Sequence, residues 1–156
     1  MGRSPDELAV ELGRLTAGDF DLDRPDARGM ERLQLLLDEL PAAAGPERAA
    51  ELILAFIERV TADDLRPPRY DFGTPGPLVH TLESLPGYQA PLEISLRRRP
   101  APLSVWMLNR ILNATEDWRE RERLLSLLRE AGAHPTAAPY TRELAEYFYR
   151  GQQERS

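Results

Sequence analysis

The 156-residue sequence contains no cysteine and no lysine, only two histidines, and no long apolar run. The missing cysteine removes disulfides, thiolate metal sites and a cysteine nucleophile together, and it suits a reducing compartment. No stretch approaches the ~20 apolar residues needed to cross a bilayer. The first residues, Met1-Gly2-Arg3-Ser4-Pro5-Asp6-Glu7, lack the apolar core of a secretory signal. The expected location is the cytoplasm, in soluble form and away from membranes. All twenty basic residues are arginine, which with abundant Ala, Leu and Pro reads as the coding bias of a GC-rich genome.

Other absences exclude reaction classes. No Gly-x-Ser-x-Gly elbow is present. No Gly-rich phosphate loop is present either, since Gly73-Thr74-Pro75-Gly76 contains a proline that supplies no backbone N–H. Asp19, Asp21 and Asp23 resemble the start of a calcium loop. Arg24 stands where the glycine is required and Met30 where the bidentate glutamate is required, so that reading fails. His134 precedes Pro135 in a turn while His80 sits within a helix, so no metal cluster forms in sequence. His80 and Glu83 are spaced to touch across one helical turn. Carboxylates are abundant, yet nothing selects an acid–base pair. The chain is read as a non-enzyme with no cofactor and no metal.

The net charge is −6. Residues 1–64 carry −8 and residues 65–156 carry +2. An acidic half argues against nucleic acid, because phosphate contacts need a basic footprint. It suits a basic protein partner, and it equally suits simple solubility. The sole basic run, Arg97-Arg98-Arg99, serves the negative end of a helix dipole.

Periodicity gives about eight helices and no convincing strand. Ser4, Pro5 and Glu7 form a Ser-x-x-Glu start, followed by a stripe of Leu8, Leu12 and Leu15. Residues 17–29 form a connector anchored by Phe20 and Leu22, or an acidic docking strip. Helices follow over about 27–40, ended by Pro41, and over 46–60. Residues 61–69 form a second connector. Thr74 is placed to cap a short helix from about Pro75 or Pro77 to Leu85. A helix over about 88–98 buries Leu92, Ile94 and Leu96 in part. Further helices span 102–114 and 117–131, with Trp118 and Leu124 among their apolar residues and Gly132 as a cap. The last spans about 137–150, with Tyr140, Leu144, Tyr147 and Phe148 inward. Residues 151–156 are expected to fray.

The helix over 102–114 is the most informative. At ~100° per residue, Val105, Met107, Leu108, Ile111 and Leu112 share an apolar arc. Trp106, Asn109, Arg110 and Asn113 share the opposite one. A tryptophan amid a polar face is either covered by another helix or turned to a partner. Short helices joined by proline-marked turns favour antiparallel pairs. Their spacing is near that of HEAT-type arrays, so the expected fold is one all-α domain over 1–156, an irregular HEAT-like α-solenoid.

The segment from Phe72 to Glu83, with Arg99-Pro100 and with Trp106-Met107-Leu108-Asn109-Arg110-Ile111-Leu112-Asn113, resembles small bacterial immunity proteins. Those proteins accompany polymorphic or contact-dependent growth-inhibition toxins. The likeness covers roughly 65–130. It implies a cytoplasmic, non-catalytic protein that binds a cognate toxin domain and blocks its active site or substrate access. The matching positions it implies for the partner are Asp71, His80, Glu83, Trp106, Asn109, Arg110 and Asn113. Without the resemblance, the same pattern fits a helical-repeat adaptor that docks some other protein.

Overall fold

The computed structural model describes residues 2–73 and 75–155. Among them lie eight α-helices: α1 (Pro5–Arg14), α2 (Gly29–Ala44), α3 (Pro46–Phe56), α4 (Gly76–Ser84), α5 (Gln89–Arg98), α6 (Pro102–Ala114), α7 (Trp118–Gly132) and α8 (Pro139–Glu154). A 3₁₀ turn, Ala17–Phe20, follows α1, and a π-helical turn, Ile57–Thr61, continues α3. The described residues hold no strand, only one isolated antiparallel bridge between Asp21 and Tyr70. No helix of the described residues is long and apolar enough to cross a membrane.

Local sequence starts these helices. The Ser4 Oγ accepts from the Glu7 amide at 3.2 Å, satisfying one orphan donor of α1. The Glu7 carboxylate makes no return bond, so only half of the expected box forms. Asp117 caps α7 through the Glu120 amide. Ser104 closes the start of α6 by exchanging bonds with the backbone of Ala101. The Thr74 cap expected for α4 lies outside the described residues.

Several expectations give way to tertiary context. Pro41 does not end α2; the helix runs on to Ala44. At this position the proline removes only one backbone bond near the end, and three alanines follow that favour helix. The stop comes at Gly45, whose φ of 82° lies in the left-handed region. The tail expected to fray is helical to Glu154, and Gln152 is buried. Ile94 is exposed, because Leu92 and Leu96 four residues apart define the inner face and Ile94 points away. Trp118 is exposed at the first turn of α7, and Tyr147 is 68 % exposed rather than inward. Gly132 ends α7 from within the helix, with Ala133 as the cap.

The apolar stripes meet in one contiguous cluster that runs from Leu8 and Leu12 of α1 to Ala145 of α8. In chain order, α1 packs on α2 and α3, α3 on α5, α5 on α7, and α8 on α6 and α7. The π turn sits at a junction. Its wider winding sends Arg59 to α1, where the guanidinium donates to the carbonyls of Leu12 and Leu15, both at 2.8 Å. It sends Glu58 to α5, where the buried carboxylate accepts from Ser95 Oγ at 2.8 Å and Arg98 Nε at 2.7 Å. Charges thus close the ends that the core leaves open.

Paired carboxylates make stability pH-dependent. Arg69, and behind it the Asp23 amide, hold Asp21 below the usual carboxylate range. Arg123 does the same for Glu93 against the opposing effect of burial. A lowered folded pKa contributes stability above the ordinary value of about 4, which is lost as pH falls through the folded value. The urea midpoint should hold near neutrality and drop below about pH 4. In Asp21→Asn it should start lower and fall less steeply; parallel curves for the two proteins would refute this assignment.

Candidate functional site

Three separate stretches enclose an aromatic groove of about 370 Å³. One wall is the connector after α3, through Thr61, Leu65, Pro67 and the run Tyr70-Asp71-Phe72-Gly73. A second is the start of α6, through Pro102, Leu103 and Trp106. The third is α8, where Tyr140, Leu144, Tyr147 and Phe148 fall on one stripe at spacings of four, three and one. Six of the chain's eleven aromatic side chains (two Trp, five Tyr and four Phe in all) line it. Rings with a polar tip suit such a partly open, wet boundary.

The connector wall has no helix or strand, so side chains fix it. Phe72 packs under it on Phe20, ring centroids 4.9 Å apart, and Phe20 meets Phe56 edge-on at 5.9 Å. Arg69 gives its guanidinium to the buried Asp21 carboxylate, with Nη2 at 2.9 Å, while its carbonyl accepts from the Leu22 amide. Phe20 therefore anchors the first connector as expected, but Leu22 is exposed. Asp21 faces Arg69 and Asp19 faces Thr16 and Arg32, while Asp23 and Asp26 of the same stretch stay largely exposed. At the far side Arg66 grips Glu143 of α8 at 2.9 and 3.2 Å, and Asp64 accepts from the Tyr140 amide. Burial raises the Tyr140 phenol above its ordinary range, and nearby Arg66 opposes this.

Gly73 shapes the rim. Its φ is 91°, and a Cβ there would lie 2.4 Å from the Gly76 Cα, so no side chain fits. The Gly73 amide donates to Asp71 Oδ1 at 2.8 Å, a local turn that orients the carboxylate.

The structure sorts the seven positions implied by the resemblance. Asp71 and Trp106 both line the groove. Glu83 and Arg110 stand behind Trp106: the Glu83 carboxylate accepts from Arg110 at 2.9 and 3.0 Å, and the Arg110 guanidinium lies 5.0 Å from the indole centroid. Trp106 is half-buried, so it is both covered on one side and turned to the groove. Asn109 and Asn113 do something else. Their Oδ1 atoms accept from Gln152 Nε2 at 2.7 and 2.8 Å, and Arg121 donates to Gln152 Oε1 at 3.1 Å, which holds the end of α8 on α6. His80 is exposed and lines no part of the groove. Its expected contact with Glu83 is not made, because Arg110 takes both Glu83 oxygens.

His134 has a structural place. Its Nδ1 accepts from the Thr136 amide, so Nε2 carries the proton and donates to the Arg97 carbonyl at 2.9 Å. The three arginines beside it are spent on Glu93, Glu58 and Asp63 respectively. Among the described residues no group of three or more His, Asp or Glu is placed to hold a metal ion. Sequence reasoning missed the groove itself. The one available signal was the Tyr140, Leu144, Tyr147, Phe148 stripe, which reads equally as core.

Gln152→Ala should cost about 1–3 kcal/mol, since it strips the shared donor from Asn109 and Asn113. Chemical denaturation checks this, and an unchanged midpoint would mean that water replaces the bond without loss. Against known protein families, curated proteins and solved structures, the chain matches none.

Proposed function

We propose that this chain is a non-catalytic protein-binding module, an immunity protein that neutralises a cognate bacterial toxin domain, and that the aromatic groove is its docking surface. The observation that carries the binding reading is the groove: six rings gathered from three segments, half open, with Trp106 fixed from behind by Arg110 and Glu83. Aromatic anchors in a pocket are the usual source of interface energy. The toxin as partner is supported by the resemblance of the 72–83 and 106–113 segments. Its inhibition would act by steric cover of the toxin's active site or substrate path, in the cytoplasm where the toxin acts.

An irregular HEAT-like array of antiparallel helix pairs goes with this reading. It is supported by the near-neighbour packing, in which α1 touches α2 and α3 while α8 touches α6 and α7. Arrays of that kind present one long face to a partner. The same groove in an adaptor would hold a harmless protein, so toxicity separates the two readings.

The test is co-expression with the product of the gene immediately upstream. That product alone should arrest the host, and growth should return when this chain is present. Trp106→Ala should weaken the complex by at least about 2 kcal/mol, roughly thirtyfold, with the fold retained by circular dichroism. A harmless neighbour, or full protection by Trp106→Ala at limiting expression, would count against the immunity reading and against the groove respectively.

A further inference from the structure

We propose that the groove receives a guanidinium, an arginine side chain of the protein partner, seated among the rings with the Asp71 carboxylate as its counter-ion. This rests on the reading of the groove as the docking surface and names the chemistry that it selects.

Charge complementarity carries the inference. Among the described residues the groove lining contains no Arg or His, and its one group of formal charge is Asp71. Asp71 is exposed and makes no ion pair with any described residue. Its Oδ1 is occupied by the Gly73 amide, which aims the carboxylate and leaves Oδ2 to accept from a ligand. The other acids near this wall are already matched: Asp63 with Arg99, Asp64 and Glu143 with Arg66, Asp21 with Arg69. A single unmatched carboxylate beside a concentration of aromatic rings is the pattern that recognises a cation.

The chain's own cations do not fill the place. Arg66, Arg69 and Arg110 lie over the rings of Tyr140, Tyr70 and Trp106 at 5.3, 5.4 and 5.0 Å. None of the three lines the groove. Each is tied by two or more hydrogen bonds to a carboxylate of another segment, so swinging inward would break a bidentate pair. They polarise and brace the rings from outside. A volume of about 370 Å³ sits at the small end of ligand sites, suited to one long side chain with its neighbours rather than to a helix. A flat, weakly hydrated guanidinium stacks on rings and bonds a carboxylate at once, which an ammonium does less well. The acidic surplus of residues 1–64 favours approach of a basic surface.

The experiment titrates the full chain with Ac-Gly-Arg-Gly-NH2 and with its citrulline counterpart, neutral and of nearly equal shape. The readout is the Trp106 indole N–H resonance, assigned through Trp106→Phe. The arginine peptide should shift it, and the citrulline peptide should bind roughly tenfold more weakly. Asp71→Asn keeps the acceptor for the Gly73 amide, and in it the two peptides should converge. Equal binding of both peptides to the parent chain, or no shift at the highest soluble concentration, overturns the proposal. With the toxin partner in hand, loss of binding in Trp106→Ala but none in Asp71→Asn refutes the guanidinium and leaves the groove as docking surface. No loss in either variant refutes both.

Discussion

The pairing of Asp21 with Arg69 is the interaction on which the groove depends. It joins the end of the 3₁₀ turn after α1 to the connector after α3, and it does so with a residue only 5 % exposed. A buried charge left alone is costly, so removing Arg69, which is itself more than half exposed, would strand the Asp21 carboxylate. The ring cluster of Phe20, Phe56 and Phe72 lies beneath and gives the connector apolar footing. Together they turn a proline-marked stretch into a wall stiff enough to face α6 and α8. Without that wall the rings of α6 and α8 would face solvent on one side.

Arginine does much of the joining elsewhere. Arg98 reaches Glu58, Arg110 reaches Glu83, Arg123 reaches Glu93 and Arg66 reaches Glu143, each between different elements and with more than one nitrogen engaged. A planar fork fixes direction as well as distance, which an ammonium cannot do. At the surface such pairs add little stability singly, roughly 0–1 kcal/mol. Their effect is geometric, because they set where each helix end lies once the leucine stripes have set which faces meet. A composition that reads as mere coding bias thus has a structural use.

Helix positions were legible because their causes are local. Ser4 caps α1, and leucines at spacings of three and four mark inner faces. Trp106 was conspicuous as a large ring on the polar side of its helix, and it is half-buried at the groove. What local pattern could not give were contacts across distance. Pro41 reads as a breaker until the following alanines and Gly45 are weighed together. Gln152 reads as a frayed tail until Asn109, Asn113 and Arg121 are seen around it. Asn109 and Asn113 share an arc with Trp106, yet α8 takes them and leaves the indole. Tyr147 belongs to the same stripe as Phe148, but it stops at the rim. The groove draws on residues 61–73, 102–106 and 140–148, and no window of sequence contains it.

That dispersal has an entropic consequence. Most helices pack on near neighbours in the chain, contacts that close quickly because little loop entropy is lost. The clamp of Arg66 on Glu143 joins residues 77 apart, and the bond from the Tyr140 amide to Asp64 joins residues 76 apart. Closing loops of that length costs more chain entropy than closing the contacts between neighbouring helices. The aromatic groove therefore rests on the side-chain bonds that are widest apart in the sequence, and those cost the most loop entropy to close. A ligand seated in it would slow hydrogen exchange along the connector more than anywhere else in the chain.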